Sequence, residues 1–289
     1  MPVRTKWTLV LASGCSVLLA LLWYAAFHVG VLERADRHVF VSFYNLTHPY
    51  YRHRVHATAS FIVSLCDPAN YASLAVLPVV VALARRRVRE AYAGAVLVFG
   101  AGATTLLLKQ MLPQTPVFSF LGILSPVPYP RFPSGHATAA MALVLALTVV
   151  APPRLRPVMA GLGAVFAAAV GYSLLTIGSH FPSDVLAGFL VAATWSLVMA
   201  AALFEVDRRL GDSPSQIGPI SIREALTPPV VALLAILALA AIVVLSDPHS
   251  IVSYVRAHKA ITAGVVVIAV LSTAVSTGVE LSVRRDVIP

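Results

Sequence analysis

Two short polar motifs, each at the start of an apolar run, contain the residues best suited to chemistry. The first is PSGH at 133–136, and the second is HFPSD at 180–184. Proline and serine favour the first turn of a helix, and glycine lets a ligand approach the backbone closely. Because the N–H groups and the positive dipole end of a helix N-terminus attract phosphate, both motifs predict an anion site.

The histidines of these motifs predict nucleophilic and acid–base chemistry. Asp184 lies four residues after His180 and can accept a hydrogen bond from its ring. That bond fixes the tautomer and leaves the other ring nitrogen free to attack phosphorus. His136 is then the candidate acid for the leaving oxygen, and Lys109 is the candidate cation that balances phosphate charge.

Each of these residues also has an ordinary explanation when it is taken alone. Lys109 can extend to the headgroups, and Asp184 can be a charge at a helix N-terminus. Ser134 and Ser183 can be helix caps, and His136 can be a polar residue at the membrane interface. Several ionisable groups at one membrane depth indicate function more strongly than any single one does.

The composition places these motifs in a membrane protein. The chain of 289 residues is 58% hydrophobic and only 11% charged, with a mean hydropathy of +0.85. A soluble domain needs more polar surface than this. The formal charge of +9 is typical of basic loops beside membrane helices, so no nucleic-acid partner is expected. The two cysteines, Cys15 and Cys66, show neither a disulfide framework nor a metal spacing.

The apolar runs predict an all-α, polytopic membrane helix bundle, since a bilayer crossing needs about 20 apolar residues. The second run is broken near Asp67-Pro68, and the first is long enough to be a retained helix rather than a signal peptide. We expect eight spans, at roughly 8–30, 58–84, 91–112, 134–151, 158–179, 184–204, 228–246 and 260–280.

A polar segment at 205–227 divides the predicted spans. Residues 1–204 are expected to form a six-helix membrane domain, and residues 228–289 a C-terminal transmembrane hairpin and tail. The hairpin carries no charge inside its apolar runs, so we expect it to serve in packing.

The loop charges predict the orientation of the bundle. Of the 21 lysines and arginines, 13 fall on the side of both termini and 8 on the other. The positive-inside tendency therefore places both termini in the cytoplasm. Lys109, PSGH and HFPSD then share the outer end of the bundle, although they come from separate parts of the chain.

With these motifs the chain resembles the phosphatidic acid phosphatase type 2 superfamily of membrane lipid phosphatases. The family pattern has three parts: a Lys followed by Arg-Pro, then PSGH, then Ser-Arg, five residues, His, three residues and Asp. The corresponding stretches here are KQMLPQTP at 109–116, PSGH at 133–136 and SLLTIGSHFPSD at 173–184. The resemblance covers about residues 60–204.

The resemblance implies a six-helix phosphatase-like core with its site at one membrane face and a C-terminal two-helix hairpin added. His180 would form a phosphohistidine, Asp184 would orient it, and His136 would protonate the leaving group. No metal or other cofactor is implied. The phosphate oxygens would be held by three further residues: Lys109, Ser134 and Gly135.

Two arginines of the family pattern are missing here. Gln114–Pro116 stands where the first is expected, and Leu174 takes the place of the second. Each lost clamp is expected to cost on the order of 2–4 kcal/mol of transition-state stabilisation. Arg131, three residues before Ser134, is a candidate replacement for one of them.

The sequence therefore favours an integral membrane phosphatase that acts at the outer face of the plasma membrane. Its substrate would be a lipid phosphate or a polyprenyl diphosphate whose tail stays in the bilayer. Two alternatives remain open: phosphoryl transfer to an acceptor other than water, and a catalytically impaired bundle that binds phospholipid or serves as a scaffold. The missing arginines favour the impaired bundle, whereas the complete set of His136, His180 and Asp184 opposes it.

Overall fold

The computed structural model describes residues 3–45, 52–112, 131–211, 222–246, 257 and 259–283. Within these ranges the chain forms ten α-helices and no β-strand, which confirms the all-α prediction. The helices are α1 (Val3–His28), α2 (Gly30–Asn45), α3 (Arg52–Ser64), α4 (Pro68–Ala84), α5 (Val88–Met111), α6 (Gly135–Val150), α7 (Arg156–Thr176), α8 (Pro182–Arg209), α9 (Ile222–Ser246) and α10 (Lys259–Val283).

Up to six of the eight predicted membrane spans correspond to a helix, or a bent pair of helices, that is long and apolar enough to cross a bilayer. Five of the described helices, α1, α5, α7, α8 and α10, are long and apolar enough to cross a bilayer. Helices α3 and α4 pass the same test together but meet at a bend of 54°. This bend lies at Asp67-Pro68, where proline opens α4 and disfavours a continuous helix. Helix α6 and part of α9 are shorter apolar helices.

Helix α2 lies in a segment that the sequence analysis left between two spans. It is too polar to cross a membrane, but its apolar residues recur at helical spacing and face the bundle. Phe40 and Phe43 are buried, and the ring of Phe40 lies 4.5 Å from that of Phe181. Helix α2 packs against α1, α7, α8 and α10, so this amphipathic helix covers one end of the bundle.

Helix α6 lies at the centre of the bundle, in contact with α4, α5, α7, α8 and α10. Most of its residues are buried, and many are alanines that let neighbouring helices approach closely. It approaches α8 closely at Gly188, where an added Cβ would lie 2.8 Å from both the carbonyl oxygen of Ser134 and the amide nitrogen of Thr138. The beginning of α6 therefore rests directly on the backbone of α8.

The C-terminal helices pack against the rest of the bundle. Helix α9 contacts α7, and α10 contacts α2, α6, α7, α8 and α9. The buried guanidinium of Arg156 donates to the carbonyl oxygens of Val283 on α10 and Val149 on α6, both at 3.1 Å. Helices α8 and α9 extend into the two ends of the polar segment 205–227, whose residues 212–221 lie outside the described ranges. The division into two domains stays a prediction.

The tight α6–α8 contact predicts that Gly188→Ala destabilises the protein. The new Cβ would meet backbone atoms that cannot move without displacing the start of α6, a strain of about 1–3 kcal/mol. We expect a lower thermal transition temperature in detergent, measured by circular dichroism. Gly102→Ala is the matched control, since a Cβ on that α5 glycine meets nothing within 4 Å. Equal transition temperatures for the two variants would contradict the prediction.

Candidate active site

Polar residues in the last turn of α5, at the beginning of α6 and after the end of α7 lie beside the beginning of α8, at one end of the bundle. The N–H of Ser134 donates to the carbonyl oxygen of Asp184 at 2.9 Å, which joins the start of α6 to the start of α8. The ammonium of Lys109, in the last turn of α5, lies 4.0 Å from the Cβ position of Gly135. His180 is close enough to Lys109 and His136 for the charges of both to lower the pKa of its ring. The structure thus brings together the three segments singled out in the sequence.

His180 and Asp184 form a buried hydrogen-bonded pair in the turn from α7 to α8. The Nδ1 atom of His180 lies 3.2 Å from Oδ2 of Asp184, and the N–H of Phe181 donates to the same oxygen at 2.9 Å. The side chains are only 9% and 2% exposed, respectively. Because Asp184 accepts the Nδ1 proton, Nε2 is the ring nitrogen that carries the lone pair.

The surroundings of His180 favour the neutral form of its ring. Burial lowers the pKa of His180 below its usual value, and the positive charges of Lys109 and His136 lower it further. The hydrogen bond and the charge of Asp184 act in the opposite direction but are outweighed by the burial. A neutral, oriented imidazole is the form that can act as a nucleophile.

His136 has its own carboxylate partner, which the sequence analysis did not assign. Its Nε2 atom lies 2.9 Å from Oδ1 of Asp67, in the turn between α3 and α4. Both side chains are partly exposed, at 32% for His136 and 50% for Asp67. The break at Asp67-Pro68 was visible in the sequence, but nothing in it indicated which helix the carboxylate would face.

The described hydrogen bonds of Ser134 are those of a buried helix cap. Its side chain is fully buried, and its Oγ accepts from the N–H of Ala137 at 3.3 Å. Its carbonyl oxygen accepts from both the N–H and the hydroxyl of Thr138. A phosphate contact by the Ser134 side chain stays a prediction. Gly135 and His136 supply first-turn N–H groups that have no acceptor inside the helix.

The start of α8 is already filled by carboxylates of the protein. The N–H of Phe181 is taken by Asp184, and the N–H and hydroxyl of Ser183 donate to the carboxylate of Asp36 at 2.9 and 2.6 Å. The sequence predicted an anion site at both motifs. At the start of α8 some of these donors have partners within the protein, whereas Lys109 lies beside the start of α6. Anion binding at either motif stays a prediction.

Asp36 is a second carboxylate that sequence reasoning missed, because it stands among other charged residues in α2. Burial raises the pKa of Asp36 to about 7. The two hydrogen bonds from Ser183 oppose this rise, and the nearby charge of Asp184 adds to it. This carboxylate therefore fixes α2 to the start of α8 beside the site.

The positions of the missing arginines are only partly described. Leu174 is fully buried in the hydrophobic core, so the residue in place of the second arginine supplies no phosphate contact. Gln114–Pro116 lies outside the described residues. The guanidinium of Arg131 lies 6.0 Å from the ring centre of Phe181, next to HFPSD. Its role as a replacement clamp stays a prediction.

Comparison with known proteins agrees with the resemblance in the motifs. The family model of the PAP2 superfamily matches residues 38–208. The crystal structure of the first transmembrane PAP2 type phosphatidylglycerolphosphate phosphatase from Bacillus subtilis has a similar fold, with a TM-score of 0.55 at 20% identity. The match covers 68% of this chain and 96% of that one. No curated protein matches the chain.

The contact between Asp36 and Ser183 predicts a pH-dependent stability. The pKa of Asp36 is about 7 in the folded protein, against 3.8 as its ordinary value, so between these values the folded state binds the proton more tightly. Stability from this group is therefore lost as the pH rises from about 4 to about 7. We expect Asp36→Asn to gain thermal stability relative to wild type across this window, with a constant difference above it.

Thermal melts in detergent at several pH values measure this difference. Glu33→Gln removes an exposed carboxylate from the same helix and serves as the control. An Asp36→Asn difference that shrinks as the pH rises from 4 to 7 would show that the buried carboxylate does not behave as described.

Proposed function

Since the chain belongs to the PAP2 superfamily, we propose that it is an integral membrane phosphatase. It hydrolyses a lipid phosphate or a polyprenyl diphosphate through a phosphohistidine intermediate. The observation that carries this proposal is the buried His180–Asp184 pair beside the start of α6. A protein that only binds phospholipid needs no neutral histidine oriented by a buried carboxylate.

The first step is attack by Nε2 of His180 on phosphorus. The bond from phosphorus to the leaving oxygen breaks, and that oxygen takes a proton from His136. Asp184 holds the Nδ1 proton of His180 and stabilises the positive charge that develops on the ring. In the second step water attacks phosphorus, the bond from phosphorus to Nε2 of His180 breaks, and the neutral His136 accepts a proton from the water.

Phosphate binding is assigned to the start of α6. The N–H groups of Gly135 and His136 point out of the helix, and the ammonium of Lys109 lies next to them. Together they stabilise the negative charge of the phosphoryl oxygens in the transition state. Arg131 is the candidate for one further contact.

A lipid substrate is supported by a cleft between α3 and α7. The cleft has a volume of about 340 Å³, and its α7 side is formed by the last turn and a half of that helix, just before His180. Its lining is mainly apolar, so it is suited to the hydrocarbon part of a substrate. The lining residues are Val55, Thr58, Ala59, Ile62, Tyr172, Ser173 and Thr176.

The outer face of the plasma membrane is the proposed location of the site. Helix α8 has Asp184 in its first turn and ends with Arg208 and Arg209. Helix α5 has Arg87 and Arg89 at its beginning and Lys109 in its last turn. These four arginines lie at the end of the bundle away from the site, and by the positive-inside tendency we assign that end, with both termini, to the cytoplasm.

Leu174 favours the alternative function of an impaired phospholipid-binding protein or scaffold. It stands in place of one of the two phosphate-binding arginines of the family pattern and is buried in the core. The loss of that arginine contact lowers the expected rate of phosphate transfer. Phosphoryl transfer to another acceptor uses the same first step and differs only in what attacks the phosphohistidine.

The first test is phosphate release by the purified full chain in detergent with excess chelator. The panel contains phosphatidic acid, a polyprenyl diphosphate and a soluble sugar phosphate. We expect release from at least one lipid substrate and a loss of at least about 10³-fold in His180→Asn, which removes the nucleophile. An acid-labile, alkali-stable phosphoenzyme should form in wild type and be absent from the variant.

Two results would contradict this proposal in different ways. Lipid binding without phosphate release from any substrate would favour the impaired protein. Phosphate release that the chelator abolishes would show that the reaction requires a metal ion.

A second test uses the pH dependence of kcat/KM. Burial lowers the pKa of His180 from its ordinary value of 6.5, so the ring stays neutral to a pH below this value. The acid limb of the kcat/KM profile should therefore lie below pH 6.5. Asp184→Asn removes a group that raises this pKa, so the limb should move to still lower pH while kcat falls on the order of 10²–10⁴-fold. Titration of the substrate is the same in both profiles and cancels from their difference. An acid limb that moves upward in Asp184→Asn would disprove this assignment.

A further inference from the structure

The contact between Asp67 and His136 is a second histidine–carboxylate pair in the same site. It joins the turn between α3 and α4 to the first turn of α6, across 69 residues of sequence. The distance of 2.9 Å between Nε2 and Oδ1 is that of a charge-assisted hydrogen bond. The motifs in the sequence do not include Asp67.

The structure directs the Asp67 carboxylate away from its own helix. Asp67 occupies the N-cap position of α4, where aspartate commonly accepts hydrogen bonds from the first turn. Here the side chain makes no such capping bond, and its oxygen contacts His136 instead. The turn is held in place because the hydroxyl of Tyr71, in the first turn of α4, donates to the carbonyl oxygen of Ala139 on α6 at 3.0 Å.

His136 stands where a positive charge is otherwise unfavourable. It lies in the first turn of α6, at the positive end of the helix dipole. The ammonium of Lys109 adds a second positive charge beside the preceding residue, Gly135. A general acid must carry its proton before the leaving group departs, so a negative partner is needed to stabilise the imidazolium.

We propose that Asp67 is a positioning residue that stabilises protonated His136 and aims its Nδ1–H at the leaving oxygen. This inference rests on the proposed phosphatase function. In the first step Nε2 of His180 forms the bond to phosphorus, and the electron pair of the broken bond passes to the leaving oxygen. That oxygen takes the Nδ1 proton of His136, whose neutral ring keeps the Nε2 proton shared with Asp67.

The two pairs differ in burial in the way their roles require. His180 and Asp184 are almost completely buried, which suits a nucleophile that must stay neutral. His136 and Asp67 are partly exposed, so this pair can exchange its proton with water between turnovers. Burial thus separates two histidines of similar chemistry into a nucleophile and an acid.

The test compares substrates whose leaving groups differ in their need for a proton. Phosphatidic acid releases an alkoxide-like oxygen, whereas p-nitrophenyl phosphate releases a stable phenolate. In Asp67→Asn we expect kcat for phosphatidic acid to fall about 10–100-fold, with KM nearly unchanged. The loss for p-nitrophenyl phosphate should be much smaller, at most about threefold. Asp67→Glu should restore part of the lost rate because it returns a carboxylate.

Asn70→Ala is the matched control for damage to the turn. The side chain of Asn70 donates to the carbonyl oxygen of Ser64 at 2.8 Å, so this variant perturbs the same turn without removing the carboxylate. It should change the two rates by the same factor. Selective loss of the phosphatidic acid rate in Asp67→Asn alone supports the proposal.

The outcomes also separate this inference from the proposed function. If wild type hydrolyses both substrates and Asp67→Asn slows them equally, Asp67 has only a structural role and the inference is overturned. If wild type releases phosphate from neither substrate and from no polyprenyl diphosphate, the phosphatase function itself is wrong and the inference falls with it.

Discussion

The position of Asp184 is the constraint on which the rest of the site depends. Its carboxylate accepts hydrogen bonds from the ring of His180 and the N–H of Phe181, and its carbonyl oxygen accepts from the N–H of Ser134. One residue therefore orients the candidate nucleophile, caps α8 and joins α8 to α6. These bonds are strong because they are buried and because one acceptor is charged. They require the two helix backbones to approach closely, which Gly188 permits one turn later.

The distribution of carboxylates around this junction determines where an anion can bind. Asp184 and Asp36 accept from the N–H groups of Phe181 and Ser183 at the start of α8, which makes that helix end less suited to an external phosphate. The start of α6 has Lys109 beside it. Two helix starts that look equivalent in sequence therefore differ in their surroundings. Carboxylates accept from the backbone N–H groups at the start of α8, whereas at the start of α6 Lys109 lies beside Gly135 and the nearby carboxylate of Asp67 contacts a side chain.

The amphipathic helix α2 and the bent pair α3–α4 bring the distant carboxylates to the site. Asp36 reaches Ser183 because Phe40 and Phe43 anchor α2 against the bundle. Asp67 reaches His136 because the 54° bend ends α3 at the level where α6 begins. Elements with no motif of their own thus complete the surroundings of both histidines.

The sequence by itself determined the features that depend on residues close together along the chain. Apolar length predicted the membrane helices, proline predicted the break before α4, and the four-residue spacing predicted the His180–Asp184 contact, because these residues lie on neighbouring turns of one chain segment. It also placed PSGH and Lys109 at the same end of the bundle, where the structure brings them close together. The amphipathic helix α2 was missed, since its polar residues hide an apolar face that is recognised only against a neighbour.

Only the tertiary structure decided which distant groups meet. Asp67 and His136 are 69 residues apart, and Asp36 and Ser183 are 147 apart. Their contacts depend on a bend angle, on helix packing and on the close approach that small residues allow. Charge and hydropathy patterns place each residue on its own helix, but pairing across helices is determined by the packing of whole surfaces, which no local pattern contains.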